Sequence, residues 1–144
     1  MLFGKPNRVV KRILIVEDEP LTAFDTENLI RDAGYEVVAT TDRFADAVER
    51  LDAEQVDLVL SDVRLSGART GVDLAAFARE RQVPILFVTG NPPPNASELV
   101  LGTLLKPYSD RTLKAALKAV DDHLAGRKAK PPKGMELFSD PAAQ

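Results

Sequence analysis

Three short segments of the 144-residue chain are almost continuously apolar, at residues 12–16, 56–60 and 84–88. Strands of this kind are typical of a parallel sheet that is covered by helices on both faces. The stretches between them are polar and have the length and apolar spacing of helices. This alternation of strands and helices predicts a doubly wound α/β domain.

Two weaker segments complete the expected sheet. Residues 36–40 and 103–105 are short strand-like runs, which gives five parallel strands in the order 2-1-3-4-5 of the flavodoxin-like folds. Five helices are expected, and the fourth is short. The proline-rich run at residues 90–95 cannot form regular helix, so only residues 96–101 are left for it.

The first helix is expected at residues 21–33. Its apolar residues recur at helical spacing, and such a stripe is normally turned toward the core. We therefore expect four side chains to be buried on this helix: Leu21, Phe24, Leu29 and Ile30.

Both ends of the chain have the composition of tails. We expect an N-terminal tail at residues 1–11, one domain at 12–125 and a flexible C-terminal tail at 126–144. The C-terminal segment contains a small apolar patch, Met135, Leu137 and Phe138. The patch could dock on a partner or fold back onto the domain, but a mobile tail is the interpretation that we favour.

The composition narrows the possible functions. The absence of cysteine excludes disulfides, thiolate metal sites and thiol nucleophiles. A formal net charge of −3 provides no broad basic field, so direct binding to nucleic acid is disfavoured. The apolar runs are too brief to span a bilayer, and the N-terminus lacks the apolar core of a signal peptide. We expect a cytoplasmic monomer that does not contact the membrane.

Polar residues that could take part in a reaction or bind a metal follow four of the five expected strands. Glu17 and Asp18 follow the first strand, Asp62 follows the third, Thr89 the fourth and Lys106 the fifth. In parallel α/β sheets, ligands bind beyond the carboxyl ends of the strands, where the strand order reverses. We therefore expect the three acids to converge at that edge, because the first and third strands are neighbours in this order.

Three clustered carboxylates repel one another unless a cation neutralises them. Carboxylate oxygens with room for water suit Mg²⁺, so a magnesium site is predicted. A carboxylate beside such an ion can attack phosphorus, while a lysine and a hydroxyl share the charge of the phosphoryl oxygens. Asp62 fits the nucleophile, and Lys106 and Thr89 fit the two donors.

Each of these residues also has an ordinary structural explanation. Glu17 and Asp18 could be acids that favour a helix N-terminus, Asp62 a turn residue, and Lys106 a solvated cation. For any one residue taken alone, that explanation would be preferred. Their joint placement at strand ends in one sheet order is what favours the functional interpretation.

Four segments carry a resemblance to a known family: residues 13–20 (ILIVEDEP), 57–62 (DLVLSD), 88–90 (VTG) and 106–107 (KP). Residues 11–125 resemble the receiver domain of two-component response regulators. The resemblance implies magnesium as cofactor and a histidine kinase or histidine phosphotransfer protein as partner.

The resemblance also implies a role for each site residue. Glu17 and Asp18 are the acidic pair, Asp62 is the phosphoacceptor and Thr89 is the switch hydroxyl. Lys106 contacts the phosphoryl group and precedes a cis proline. In addition, the backbone carbonyl of Arg64 completes the metal shell together with Glu17, Asp18 and Asp62.

The chain departs from the family pattern in two places. Thr103 stands where many receivers have an aromatic switch residue, and the gap between Thr89 and Lys106 is shorter than usual by roughly one helical turn. The short fourth helix and the sequence of residues 87–90 are similar to the alphaproteobacterial FAT GUY group of single-domain regulators, although residues 91–94 depart from that motif. This likeness implies a place in a branched phosphorelay.

The predicted function is a single-domain response regulator that signals through protein contacts or acts as a phosphorelay branch or phosphate sink. Such a receiver catalyses only its own phosphorylation and dephosphorylation. A magnesium-dependent aspartyl phosphatase or phosphotransferase acting on a small molecule is an alternative, but Arg64 occupies the position where such an enzyme needs a second acid. A pseudo-receiver that acts without phosphorylation is the other alternative.

Overall fold

The computed structural model describes residues 8–139 and has an open, twisted sheet between two helical layers. The strands are β1 (Arg12–Val16), β2 (Glu36–Thr41), β3 (Leu58–Ser61), β4 (Ile85–Thr89), β5 (Gly102–Leu105) and β6 (Met135–Leu137). The helices are α1 (Pro20–Asp32), α2 (Phe44–Ala53), α3 (Gly71–Glu80), α4 (Ala96–Leu99) and α5 (Asp110–Leu124).

The sheet order is β2-β1-β3-β4-β5-β6, with parallel pairing throughout β1 to β5. This confirms the α/β fold class and the order 2-1-3-4-5 within the parallel part. The short α4 is confirmed as well. The predicted count of five strands was wrong, because β6 adds an antiparallel strand to the edge of β5.

The continuous apolar character of the strands follows from burial on both faces. In β1, Ile13 and Ile15 belong to one core cluster, which also contains residues of α1 and α5. Leu14 and Val16 belong to a second cluster, which contains residues of α2 and α3. Side chains alternate between the two faces of a strand, so each layer of helices receives every second residue.

The expected buried face of α1 was wrong for two residues. Leu21 is 75% exposed and Phe24 is 64% exposed, whereas Ile30 is fully buried. The buried stripe follows Ala23, Thr26 and Ile30, which share one side of the helix at spacings of three and four residues. Leu21 and Phe24 lie outside that stripe, and α1 presents two large apolar side chains to solvent.

The mobile tail predicted for residues 126–144 was wrong at residues 135–138. The amide of Leu105 donates to the carbonyl oxygen of Gly134 at 2.9 Å, and the amide of Phe138 donates to that of Leu101 at 2.8 Å. Met135 is only 7% exposed. The segment folds back because the edge of β5 offers unpaired backbone groups and the core offers a site for one apolar side chain. Residues 140–144 lie outside the described residues.

The N-terminal segment is also held by the domain from residue 9 onward. The Oδ1 atom of Asp121 accepts hydrogen bonds at 2.8 Å from the amides of both Val9 and Val10. Its Oδ2 atom accepts one at 2.8 Å from Arg127. Val10 is 1% exposed, so this part of the predicted N-terminal tail belongs to the core. The remainder of that predicted tail, residues 1–7, lies outside the described range.

Among residues 8–139, no helix is both long and apolar enough to cross a bilayer.

The Asp121 contacts predict a large stability effect. Asp121→Ala leaves two backbone amides and a guanidinium without their buried acceptor, and we expect the free energy of unfolding to fall by about 3 kcal/mol. Urea denaturation followed by circular dichroism measures this loss. Asp122→Ala is the matched control, because Asp122 also binds Arg127 but accepts no hydrogen bond from residues 9 and 10. An equal loss in both variants would contradict the role given to Asp121.

Candidate functional site

Three carboxylates meet beyond the carboxyl ends of β1 and β3. Val16 and Ser61 are paired in the parallel ladder, so the residues that follow them emerge side by side. One carboxylate oxygen from each of Glu17, Asp18 and Asp62 lies within 4.8 Å of the others. Glu17 is buried, Asp62 is half-buried and Asp18 is exposed. The predicted convergence of the three acids is thus observed.

Lys106 brings a positive charge into this cluster. Its Nζ atom donates to Oδ2 of Asp62 at 2.8 Å and also donates to Oε1 of Glu17. β5 lies two strands away from β3, and the long lysine side chain spans that distance. The peptide bond between Lys106 and Pro107 is cis, as the resemblance implied. One ammonium group thus joins two of the three acids.

Thr89 lies at the end of β4, between the acids and Lys106 in the order of the strands. Its carbonyl oxygen accepts a hydrogen bond from the amide of Lys106 at 3.0 Å. Its hydroxyl accepts one from the amide of Asn91 at 3.1 Å. Thr89 is therefore fixed by the backbone on both sides, and its main chain is linked directly to that of Lys106.

Arg64 contacts the acid cluster through its amide. The Oδ1 atom of Asp62 accepts hydrogen bonds from the amides of Val63, at 2.7 Å, and Arg64, at 3.3 Å. The side chain of Arg64 is exposed. The metal-binding role given to its carbonyl oxygen stays a prediction.

Two residues that support Asp62 were not identified from the sequence as doing so. The hydroxyl of Ser61 donates to the carbonyl oxygen of Asp62 at 2.7 Å. At Gly71, a Cβ atom would lie 2.3 Å from the same oxygen, so only glycine allows α3 to begin so close to the acid. A serine directly before the acid was the available signal for the first contact. The second depends on a backbone approach that no local pattern reveals.

Comparison with known proteins identifies the family of the chain. Residues 13–118 match the family model described as the response regulator receiver domain. The chain belongs to the receiver domain family. It is therefore a two-component regulatory domain, and the motifs that suggested this in the sequence are those that meet at the site.

The chain is also similar to a curated regulatory protein. The transcriptional regulatory protein PdtaR of Mycobacterium tuberculosis is 33% identical over 116 residues, which cover 76% of this chain and 56% of PdtaR. This receiver thus spans about half the length of that relative.

Solved structures of receivers share the fold. The Vibrio cholerae chemotaxis protein CheY4 matches with a TM-score of 0.67 and 26% identity, over 76% of this chain and 98% of CheY4. The receiver domain of the sensor histidine kinase PA1611 from Pseudomonas aeruginosa matches with a TM-score of 0.66 and 27% identity, over 76% and 96% of the two chains. The latter is described with a magnesium ion coordinated in its active-site cleft. Membership in the FAT GUY group stays a prediction.

For both Glu17 and Lys106, burial and the hydrogen bond between the two groups shift the pKa in opposite directions. Burial raises the pKa of Glu17, and the hydrogen bond from Lys106 offsets part of that effect. For Lys106, burial is the largest single influence and would lower the pKa. The hydrogen bonds and charges of Asp62 and Glu17 together outweigh burial, so the pKa of Lys106 is raised. The lysine therefore carries its charge at neutral pH.

The donor set fits a magnesium ion. All three acidic side chains offer oxygen ligands, and they are close enough to share one hard cation. Because Asp18 is exposed, water can complete the coordination shell, as Mg²⁺ requires. Within residues 8–139, Lys106 is the one cationic side chain that forms ion pairs with these carboxylates. A divalent ion would therefore also improve the charge balance of the cluster.

The close approach at Gly71 predicts a selective effect of an added methyl group. Gly71→Ala places an atom against backbone that cannot rotate away, and we expect the free energy of unfolding to fall by about 1–3 kcal/mol, with shifted amide resonances at Asp62 and Val63. Gly90→Ala is the control, since its Cβ would meet only the carbonyl oxygen of Lys106 at 3.9 Å. Urea denaturation and amide NMR spectra measure both effects. Unchanged resonances at Asp62 in Gly71→Ala would contradict the proposed support.

Proposed function

We propose that this receiver accepts a phosphoryl group on Asp62 from a phosphohistidine of a histidine kinase or histidine phosphotransfer protein. The observation that carries the proposal is the ammonium group of Lys106, which contacts both Asp62 and Glu17 within a cluster of three acids. Such a carboxylate is both held in position and next to a donor for phosphoryl oxygens.

The transfer is a displacement at phosphorus. A carboxylate oxygen of Asp62 forms a bond to phosphorus while the bond from phosphorus to the donor's imidazole nitrogen breaks, and the electron pair of that bond stays on the nitrogen. The product is an acyl phosphate. Backbone amides of Val63 and Arg64 orient the carboxylate, and Lys106 and the hydroxyl of Thr89 donate to the transferred oxygens.

Glu17, Asp18, Asp62 and the carbonyl oxygen of Arg64 would hold Mg²⁺, which when bound supplies positive charge beside the phosphoryl oxygens. Lys106 moves from the Asp62 carboxylate to the new phosphoryl group in this proposal. Thr89 is linked to Lys106 through the backbone, so the two donors are positioned together.

The donor protein must reach Asp62 across the surface beside the crevice. α1 begins two residues after Asp18 and exposes Leu21 and Phe24. Two large apolar side chains next to the site suit contact with a protein partner. We propose that the donor docks on these residues.

In this proposal, the phosphorylated receiver signals by binding a partner protein through the face formed by α4, β5 and α5. Alternatively, it acts as a branch or sink of a phosphorelay and drains phosphoryl groups from it. We further propose that the receiver is a cytoplasmic monomer and that it catalyses only its own phosphorylation and dephosphorylation.

The first test uses beryllofluoride with Mg²⁺ as a phosphoryl mimic. Because the mimic binds the acceptor carboxylate and recruits the two donors, the amide resonances of Thr89 and Lys106 should shift. Asp62→Ala should show no shift. An unchanged wild-type spectrum would overturn the proposed function in favour of a pseudo-receiver. Multiple turnover on a small phosphate ester that is lost in Asp62→Asn would overturn it in favour of a phosphatase.

The second test separates donor docking from chemistry. In the double variant Leu21→Ala, Phe24→Ala, phosphotransfer from the cognate kinase should slow by about tenfold or more, because two interface side chains are truncated. Phosphorylation by acetyl phosphate, which needs no docking surface, should keep its rate. The kinase is found by profiling phosphotransfer from the histidine kinases of the source organism.

Leu124→Ala is the matched control, since Leu124 is also exposed but lies at the far end of α5. Equal slowing with both donors would place Leu21 and Phe24 in the fold of the site instead of in a docking surface.

A further inference from the structure

β5 has the character of an interior strand, although it would be the edge of the parallel sheet. Its sequence, Gly-Thr-Leu-Leu, contains neither the charged residue nor the proline with which natural edge strands avoid unwanted pairing. With β6 in place, Gly102, Thr103 and Leu104 are all buried. An edge of this composition needs a covering strand, and β6 provides it.

Gly102 is the position that admits this strand. A Cβ atom there would lie 2.3 Å from the carbonyl oxygen of Glu136 and 3.3 Å from the Cα atom of Leu137. Both atoms belong to the backbone of β6, so no side-chain rotation would relieve the contact. The backbones of β5 and β6 approach each other here only because position 102 has no side chain.

β6 is anchored on this edge by few side chains. The strand has three residues, and only Met135 among them is buried, whereas Leu137 is half-buried and Glu136 is exposed. Strands this short owe most of their stability to side-chain packing. Here the packing comes from Met135, from the half-buried Leu137 and, in the linker, from Ala129, so the loss of a few contacts would free the strand.

The linker allows β6 to leave without disturbing α5. Arg127 is tied to Asp121 and Asp122 by ion pairs, so the end of the helix is anchored independently of β6. The linker then passes through residues 128–133 to Gly134, whose φ of +88° favours glycine and marks the sharp turn into the strand. Seven residues of linker between the anchor and Met135 span up to roughly 23 Å when extended, which is enough for complete release.

A groove of about 580 Å³ lies beyond the end of β6. Val83, Leu99, Leu124 and Phe138 are among its lining residues, so it continues the apolar surface that β6 begins to cover. A strand that extends further than β6 in the same direction would enter this groove.

We propose that the edge of β5 is a strand-accepting surface, on which an extended segment of a partner protein replaces β6. The segment runs antiparallel to β5 and makes the backbone hydrogen bonds that Gly134 and Phe138 now make with Leu105 and Leu101. It carries apolar side chains at the alternate positions of Met135 and Leu137, and its following residues occupy the groove. β6 is the intramolecular competitor of this segment, and the exchange requires no phosphorylation.

The wild-type chain provides the first test, by native-state hydrogen exchange. The amides of Leu105 and Phe138 bond across the β5–β6 contact, whereas the amide of Val59 bonds between β3 and the residue before β4. If β6 opens by itself, the first two amides should exchange at least about a hundredfold faster than that of Val59. Exchange of all three at one rate would mean that β6 is an integral part of the core and would overturn the proposal.

The second test measures exchange of the strand. The probe is a fluorescein-labelled peptide with the sequence of residues 133–139, Lys-Gly-Met-Glu-Leu-Phe-Ser. In the full chain, Met135→Lys places a charge at the buried anchor and should release β6. The peptide should then bind at least about tenfold more tightly to this variant than to the wild type, because its competitor is gone.

Met135→Lys combined with Gly102→Val is the matched control, since a side chain at position 102 would collide with the backbone of β6 or of a strand that takes its place in the same register. Circular dichroism confirms that both variants are folded. Loss of peptide binding in the double variant supports the proposal. Equal peptide affinity in the wild type and Met135→Lys, or binding that survives Gly102→Val, would overturn it. A wild-type dimer that Gly102→Val abolishes would assign the edge to a second copy of the chain and would also overturn it.

Discussion

The contact of the Lys106 ammonium with Asp62 and Glu17 depends on the whole parallel sheet. Neighbouring parallel strands end at the same edge, so residues that are far apart in the chain arrive at one crevice. The acids occupy the ends of β1 and β3, and the lysine occupies the end of β5. A shift of any of these strands by one residue would turn a site residue toward a helical layer. The buried, alternating packing of both faces is what fixes the register.

The support of Asp62 shows how the backbone contributes to the site. Ser61 binds the carbonyl oxygen of Asp62, and Gly71 lets the start of α3 approach that same oxygen. The carboxylate is held on its other side by the amides of the following loop. The acid therefore has little freedom before any ligand arrives, which lowers the entropic cost of placing it for reaction.

The sequence was sufficient to predict the parallel sheet, its order and the convergence of the three acids, because these follow from apolar runs and from what stands at their ends. It failed for Leu21 and Phe24, since apolar spacing does not say which side of α1 faces the sheet. It failed for β6 because three residues carry no measurable periodicity and their pairing with β5 is non-local. The close approaches at Gly71 and Gly102 depend on the assembled backbone, and a glycine in the sequence does not reveal its neighbours.

Asp121 binds both of the segments that flank the parallel core, and it holds them at the same end of the sheet. It binds residues 9 and 10 ahead of β1 and Arg127 after α5, at the amino end of the sheet. The acid cluster occupies the carboxyl end. A fluorophore, affinity handle or fused protein attached ahead of residue 8 therefore joins the domain at the pole opposite Asp62. The point of attachment would therefore lie on the side of the sheet away from the crevice.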